Sequence, residues 1–164
     1  MLNLLQQQFD WVRSIRQNMF AFLEELPPQT LHQPVPKFGR GTIIRTHLHV
    51  VDCYRWWLGS FAFKKLNNHR DVFVHVTADV KFVRERFAEV DELVQRFLHE
   101  YDDRWSEPIE QDESWQGYPK APTPLLLLTH TETHEFHHKG QIVSMARHLG
   151  YPAPSDDRLG GLFT

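Results

Sequence analysis

The sequence predicts an all-α protein, a four-helix bundle, and three observations carry that reading. Four long segments repeat apolar residues at intervals of three and four, the signature of one helical face. Each segment is bounded by capping residues, glycine or proline. No stretch of useful length alternates apolar and polar residues as a half-buried strand does.

Leu5, Phe9, Val12, Met19 and Leu23 form the first stripe, interrupted at Arg16, and Pro27-Pro28 ends it because proline cannot continue a helix; the first helix is expected over 3–25. After the Pro- and Gly-containing stretch Pro27–Gly41, Thr42 is the expected cap of a second helix with Ile43, Val50, Tyr54, Trp57 and Phe61 on one face. Its end is expected near Lys64-Lys65, where cations suit a helix C-terminus. Thr77 caps the third, in which Val80, Val83, Phe87, Val90, Val94, Phe97 and Tyr101 keep an unbroken heptad-like seam suited to near-parallel packing. Asp102–Pro122 mixes charge, proline and glycine with Trp105, Trp115 and Tyr118, and reads as an ordered excursion with room for a short hairpin. Thr123-Pro124 then gives an N-cap followed by proline at the first helical position, and Gly150 and Pro152 stop the fourth helix, expected over 124–149. The connections before and after helix two are long enough for crossovers, so simple up-down order is not imposed.

The length of 164 residues suits one domain. With 18 Lys plus Arg against 21 Asp plus Glu, the net charge of −3 gives no excess to neutralise phosphates, which excludes nucleic acid and anionic membrane as expected partners. No apolar run approaches the ~20 residues that span a bilayer. The N-terminal MLNLLQQQFDWVRSIRQ lacks the basic head, apolar core and cleavage site of a signal peptide, so a cytoplasmic location is expected. A single cysteine, Cys53, excludes an intramolecular disulfide and offers at most one thiolate ligand.

Metal binding must therefore rest on histidine. The chain has 11, four of them within Thr129–Lys139. His134 and His138 are four apart, which on a helix puts both rings on one face within reach of one ion. That face continues into Ile142, Met145 and Leu149, so two imidazoles occupy places where leucines are usual. His130 extends the row one turn earlier as a residue beside the site, and Gln141 is placed to orient a ligand or substrate. His137 points about a quarter-turn away. His32, His69, His75, His99 and His148 read as ordinary surface residues. Gly140, costly inside a helix, suggests close backbone approach of a neighbour or else a tolerated defect. Helix two offers His47 or His49 as a third ligand. Periodicity favours His47 as the buried one, whereas His49 has Asp52 one turn on to orient its ring; spacing leaves both open.

His134-Glu135-Phe136-His137-His138 also spells the H-E-x-x-H motif of zinc proteases. The extended form requires glycine and histidine where this chain has Gln141 and Ser144. No glutamate follows Glu135, leaving only Asp156 or Asp157 as a substitute ligand, and no strand is available to hold a peptide.

HEFHHKGQI, His134–Ile142, resembles the fourth-helix signature of the DinB-like metalloproteins, and HVVDCYRWWL, His49–Leu58, resembles their second-helix motif. The resemblance extends over the whole length and helix order. It implies an up-down-down-up bundle in which His49, His134 and His138 bind zinc, nickel or a similar divalent ion; in a metal-dependent enzyme of this kind Asp52, His130 and Gln141 are expected to support the ligands or orient the substrate. It also implies a homodimer, no DNA binding, and for some members thiol-dependent S-transfer or isomerisation with a low-molecular-weight thiol. The expected function is thus a metal-dependent enzyme acting on a small molecule, by thiol transfer or hydrolysis; the alternative is a non-catalytic metal-binding or stress-response protein.

Overall fold

The computed structural model of the protein describes residues 2–64, 77–110, 122–152 and 154. Four long helices carry it: α1 (Leu2–Glu24), α2 (Ile43–Tyr54), α3 (Val80–Glu100) and α4 (Pro124–His148), with a short 3-10 turn at Pro28–His32. No strand occurs among the described residues. Helix α2 packs on α3 and α4, and α1 packs on the same two, so the four enclose one core.

The caps at Thr42 and Thr123 form as the sequence predicts. Thr42 Oγ1 accepts from the Arg45 N–H and Thr123 Oγ1 from the Leu126 N–H, each satisfying a donor that the first helical turn leaves free. Gly150, with φ of +93°, stops α4 in the left-handed conformation that glycine adopts without penalty. The cap of α3 differs from expectation. Asp79, not Thr77, accepts from the Phe82 N–H at 2.7 Å, and the helix begins three residues later than Thr77. The predicted seam of α3 is buried throughout.

Helix two departs most from simple periodicity. After Tyr54 the chain continues as a π-helix, Arg55–Ala62, whose i→i+5 bonds widen the turn. Leu58 is consequently buried, whereas the expected Trp57 is only half-buried. The helix ends at Ala62, and Lys64 already has a positive φ; Lys65 lies outside the described residues. Trp105 is buried against Phe97, with ring centroids 6.2 Å apart. Trp115, Tyr118 and the expected hairpin lie outside the described residues, as do His69, His75, Asp156 and Asp157.

Arg16, the gap in the first stripe, is buried rather than exposed, at 2% of its free surface. Its Nε and Nη2 donate to the two oxygens of Glu135 at 2.7 and 2.9 Å, and its Nη1 to Asp91 at 2.6 Å. The Tyr54 hydroxyl donates to the same Glu135 carboxylate at 2.7 Å. One polar knot thus ties all four helices together inside an apolar core. Burial alone would lower the Arg16 pKa, but the charge and hydrogen bonds of Glu135 outweigh it and hold the guanidinium charged. Burial, and then Glu135, push the Tyr54 hydroxyl well above its usual range.

We predict that Arg16→Met, which removes the cationic partner of a buried carboxylate, destabilises the protein by about 3–5 kcal/mol in urea unfolding. Arg16→Met combined with Glu135→Leu should recover most of that loss. A single variant as stable as the parent would show that the pair carries no such constraint.

Candidate metal centre

Helix α2 presents His49 toward α4, which presents His134 and His138 from successive turns. One nitrogen from each ring lies within 4.8 Å of the others, a spacing able to hold a metal ion. The ring centroids of His134 and His138 are 4.4 Å apart, and His49 stands edge-on to both, at 5.0 and 4.9 Å. His138 is buried; His49 and His134 are half-buried, so the cluster lies at the edge of the core with one side open.

The protonation states suit ligation. The Gln141 side-chain oxygen is only an acceptor, so the His138 Nδ1, 2.7 Å from it, must carry the proton and leave Nε2 with a lone pair. Arg40 Nη2 lies 2.9 Å from His49 Nε2, and as arginine only donates, that nitrogen carries a lone pair, which accepts from Arg40 until the guanidinium moves aside. The Nε2 atoms of His134 and His138 are 3.2 Å apart. Zn–N bonds of about 2.0–2.1 Å at tetrahedral angles would separate two ligand nitrogens by about 3.3 Å. With the His138 Nε2 lone pair accepting, His134 Nε2 is the donor of that contact, and His134 Nδ1 is left buried without a hydrogen-bond partner at a cost of about 1–3 kcal/mol.

Burial is the largest cause holding the three rings neutral. It lowers His134 to about 3, with His138 and His49 adding to the shift. It lowers His49 to about 4, helped by Arg40 and His138. His138 is also lowered by burial, while its bond to Gln141 acts in the opposite sense. All three are neutral imidazoles at pH 7, the form that binds a metal.

His47 lies elsewhere. It is buried between Phe20 and Phe87, at ring distances of 5.3 and 5.1 Å, and burial followed by Arg16 lowers it to about 3. Periodicity was right about its burial, and that burial separates it from the cluster. His130 is exposed, 5.8 Å from the His134 ring and 5.5 Å from Trp57, so it borders the cluster. Asp52 is exposed one turn after His49. Its charge, after burial, pushes the Cys53 thiol up to about 12, which makes Cys53 a poor thiolate ligand or nucleophile. His137 is exposed and sits 3.1 Å from the Gln141 amide nitrogen. Among the expected surface histidines, His99 and His148 are exposed, while His32 is half-buried. Gly140 has open space where a Cβ would stand, so the expected close approach is absent there and the glycine is a tolerated defect.

The close approach occurs instead at Gly39, which sequence reasoning passed over. A Cβ there would stand 2.6 Å from Thr46 Oγ1 and 3.1 Å from Gln141 Oε1, and φ is +45°. The loop therefore presses on the residue that orients His138. The Gly39-Arg40-Gly41 sequence ahead of the Thr42 cap was its available signal. Glu135, between the two histidines of α4, faces Arg16 and Tyr54 and has its carboxylate fully engaged in the core. The protease look-alike therefore lacks the free glutamate its chemistry requires.

Among the described residues, these features define an all-helical bundle with a three-histidine cluster between two helices. The DinB family model matches residues 1–163, and the chain belongs to that family. It is similar to the protein DinB of Bacillus subtilis (strain 168), 25% identical over 147 residues that cover 85% of this chain and 83% of that one.

Because the folded-state pKa values of His49 and His134 lie below the ordinary 6.5, their contribution to stability is fully present above about pH 6.5 and declines as pH falls toward 4 and 3. NMR titration should find both rings neutral at pH 5.5, and His134→Asn should flatten the stability decline between pH 6.5 and 4. A ring titrating near 6.5 would contradict this account.

Proposed function

We propose that the chain is a single-domain, up-down-down-up DinB bundle that binds one divalent ion, zinc or nickel, through His49, His134 and His138, and uses it on a small-molecule substrate. The observation that carries this reading is the convergence of three neutral ring nitrogens within 4.8 Å at a partly open edge of the core. Three protein ligands leave coordination positions for water or substrate, as catalytic sites do.

An ion there would supply Lewis acidity, lowering the pKa of a water or thiol that it binds. The chain's own residues do the rest. Gln141 fixes the His138 tautomer, the Arg16–Glu135 pair holds the inner face of α4, and His130 and Trp57 border the approach. With Glu135 engaged by Arg16 and Tyr54, no glutamate of α4 faces the cluster as a general base, because Glu132 is also turned inward, to Gln8. A thiol loses its proton far more readily than water, so without such a base thiol S-transfer is favoured over hydrolysis, with a low-molecular-weight thiol as co-substrate. Among the described residues no helix is long and apolar enough to cross a membrane.

Protein purified without a histidine tag is expected to hold one zinc or nickel per chain. His49→Ala and the His134→Ala, His138→Ala pair should each lower occupancy below about one-tenth, whereas His47→Phe should retain it. Chelation should abolish thiol transfer to electrophiles while far-UV circular dichroism is unchanged. Loss of helicity on chelation would instead assign the ion a structural role, and full metal retention by the double variant would refute the centre.

A further inference from the structure

Arg40 brings a fixed positive charge to the cluster. It lies on an exposed loop, yet its guanidinium reaches His49 Nε2 at 2.9 Å, and its charge is felt at both His49 and His138. The loop is built to hold it there. The Arg40 N–H donates to Thr46 Oγ1 at 3.0 Å, and Thr46 is fully buried, its hydroxyl also donating to the Thr42 carbonyl at 2.7 Å. Gly39 and Gly41 flank it with φ of +45° and +89°, backbone that other residues rarely adopt. The Gly41 N–H donates to the Phe38 carbonyl and the Val35 N–H to the Gly41 carbonyl, closing the turn.

Such an arrangement is puzzling for a site that binds only a cation. A guanidinium beside the ligand nitrogens of a divalent ion opposes its binding by like-charge repulsion. The repulsion becomes attraction when an anion lies between the two charges. Arginine's planar fork matches a carboxylate with two parallel N–H donors, and its long side chain can swing from His49 Nε2 to a group beside the ion while the backbone stays pinned.

We propose that Arg40 is a substrate-recognition residue that selects small molecules carrying a carboxylate next to the group that enters the metal centre. This inference rests on the metal-centre reading above and adds the charge of the substrate to it. The carboxylate pairs with the guanidinium, and the neighbouring thiol is delivered to the three-histidine face.

Cobalt(II)-loaded protein provides a readout independent of turnover, because thiolate ligation gives a sulfur-to-cobalt charge-transfer band. Mercaptoacetate and its methyl ester present the same thiol with and without a carboxylate. The ratio of their dissociation constants is the quantity to follow, in the parent protein, Arg40→Ala and Arg40→Lys. Arg40→Ala should reduce the preference for mercaptoacetate at least tenfold, with cobalt uptake not weakened, and Arg40→Lys should keep part of it because charge remains but the fork is lost. A preference equal in the parent and Arg40→Ala, or failure of mercaptoacetate to bind the cobalt-loaded parent, would overturn the role of Arg40 while leaving the metal centre standing. Failure of the parent to take up cobalt, or uptake undiminished in the His134→Ala, His138→Ala variant, would overturn the centre and this inference with it.

Discussion

The geometry of the site depends on the rotation of α4 about its own axis, and the Arg16–Glu135 ion pair sets that rotation. An α-helix turns about 100° per residue. With Glu135 aimed inward at Arg16, His134 lies about 100° to one side, and His138, three residues later, about 60° to the same side. Both rings therefore emerge on the flank that meets α2. The pair has this authority because it is buried. Two charges withdrawn from water tolerate little misplacement, and here Glu135 receives three donors, two from Arg16 and one from Tyr54. Asp91 on α3 takes up the remaining reach of Arg16 and holds that side chain in place, so α4 cannot turn without unmaking Glu135's bonds to α1 and α2.

The helices were largely legible because their signals are local. Pro27-Pro28, Thr42, Thr123-Pro124 and Gly150 act within a few residues of where they stand, through a missing donor, a side-chain acceptor or a left-handed backbone. Asp79 shows the limit. Thr77 and Asp79 are both competent caps, and Asp79 is the one that caps, a choice between neighbours that no local rule anticipates. The π-helix after Tyr54 was invisible to a reading by threes and fours, since that reading presupposes the α-helical turn. Leu58 is buried in the core, and Trp57, half-buried against it, stands 5.5 Å from the His130 ring.

The site was legible in part. His134 and His138 declare themselves by spacing, but the third member does not. His47 and His49 are two residues apart, about 200° on a helix, so one must face away when the other faces the cluster. Periodicity identifies the more buried of the two, His47, whereas the ring that joins the cluster at the edge of the core is the less buried His49. The family resemblance pointed to His49, the ring that the structure brings beside His134 and His138. Arg40 and Gly39 were missed because a Gly- and Pro-containing stretch reads as a connection, whereas Gly39 packs against Thr46 and Gln141 as tightly as a core residue.

Glu135 was the most misleading residue, and the reason is general. The letters H-E-x-x-H specify two ligands on one helical face and a glutamate about a quarter-turn from them; they do not say what that glutamate meets. In hydrolytic sites it meets water at the metal. In this chain it meets an arginine 119 positions earlier, and the contact converts a general base into an anchor. A single charged residue interrupting the apolar stripe of α1 thus decides the chemistry available on α4. The motif gives the spacing of the ligands, and the partner of the intervening glutamate gives its meaning.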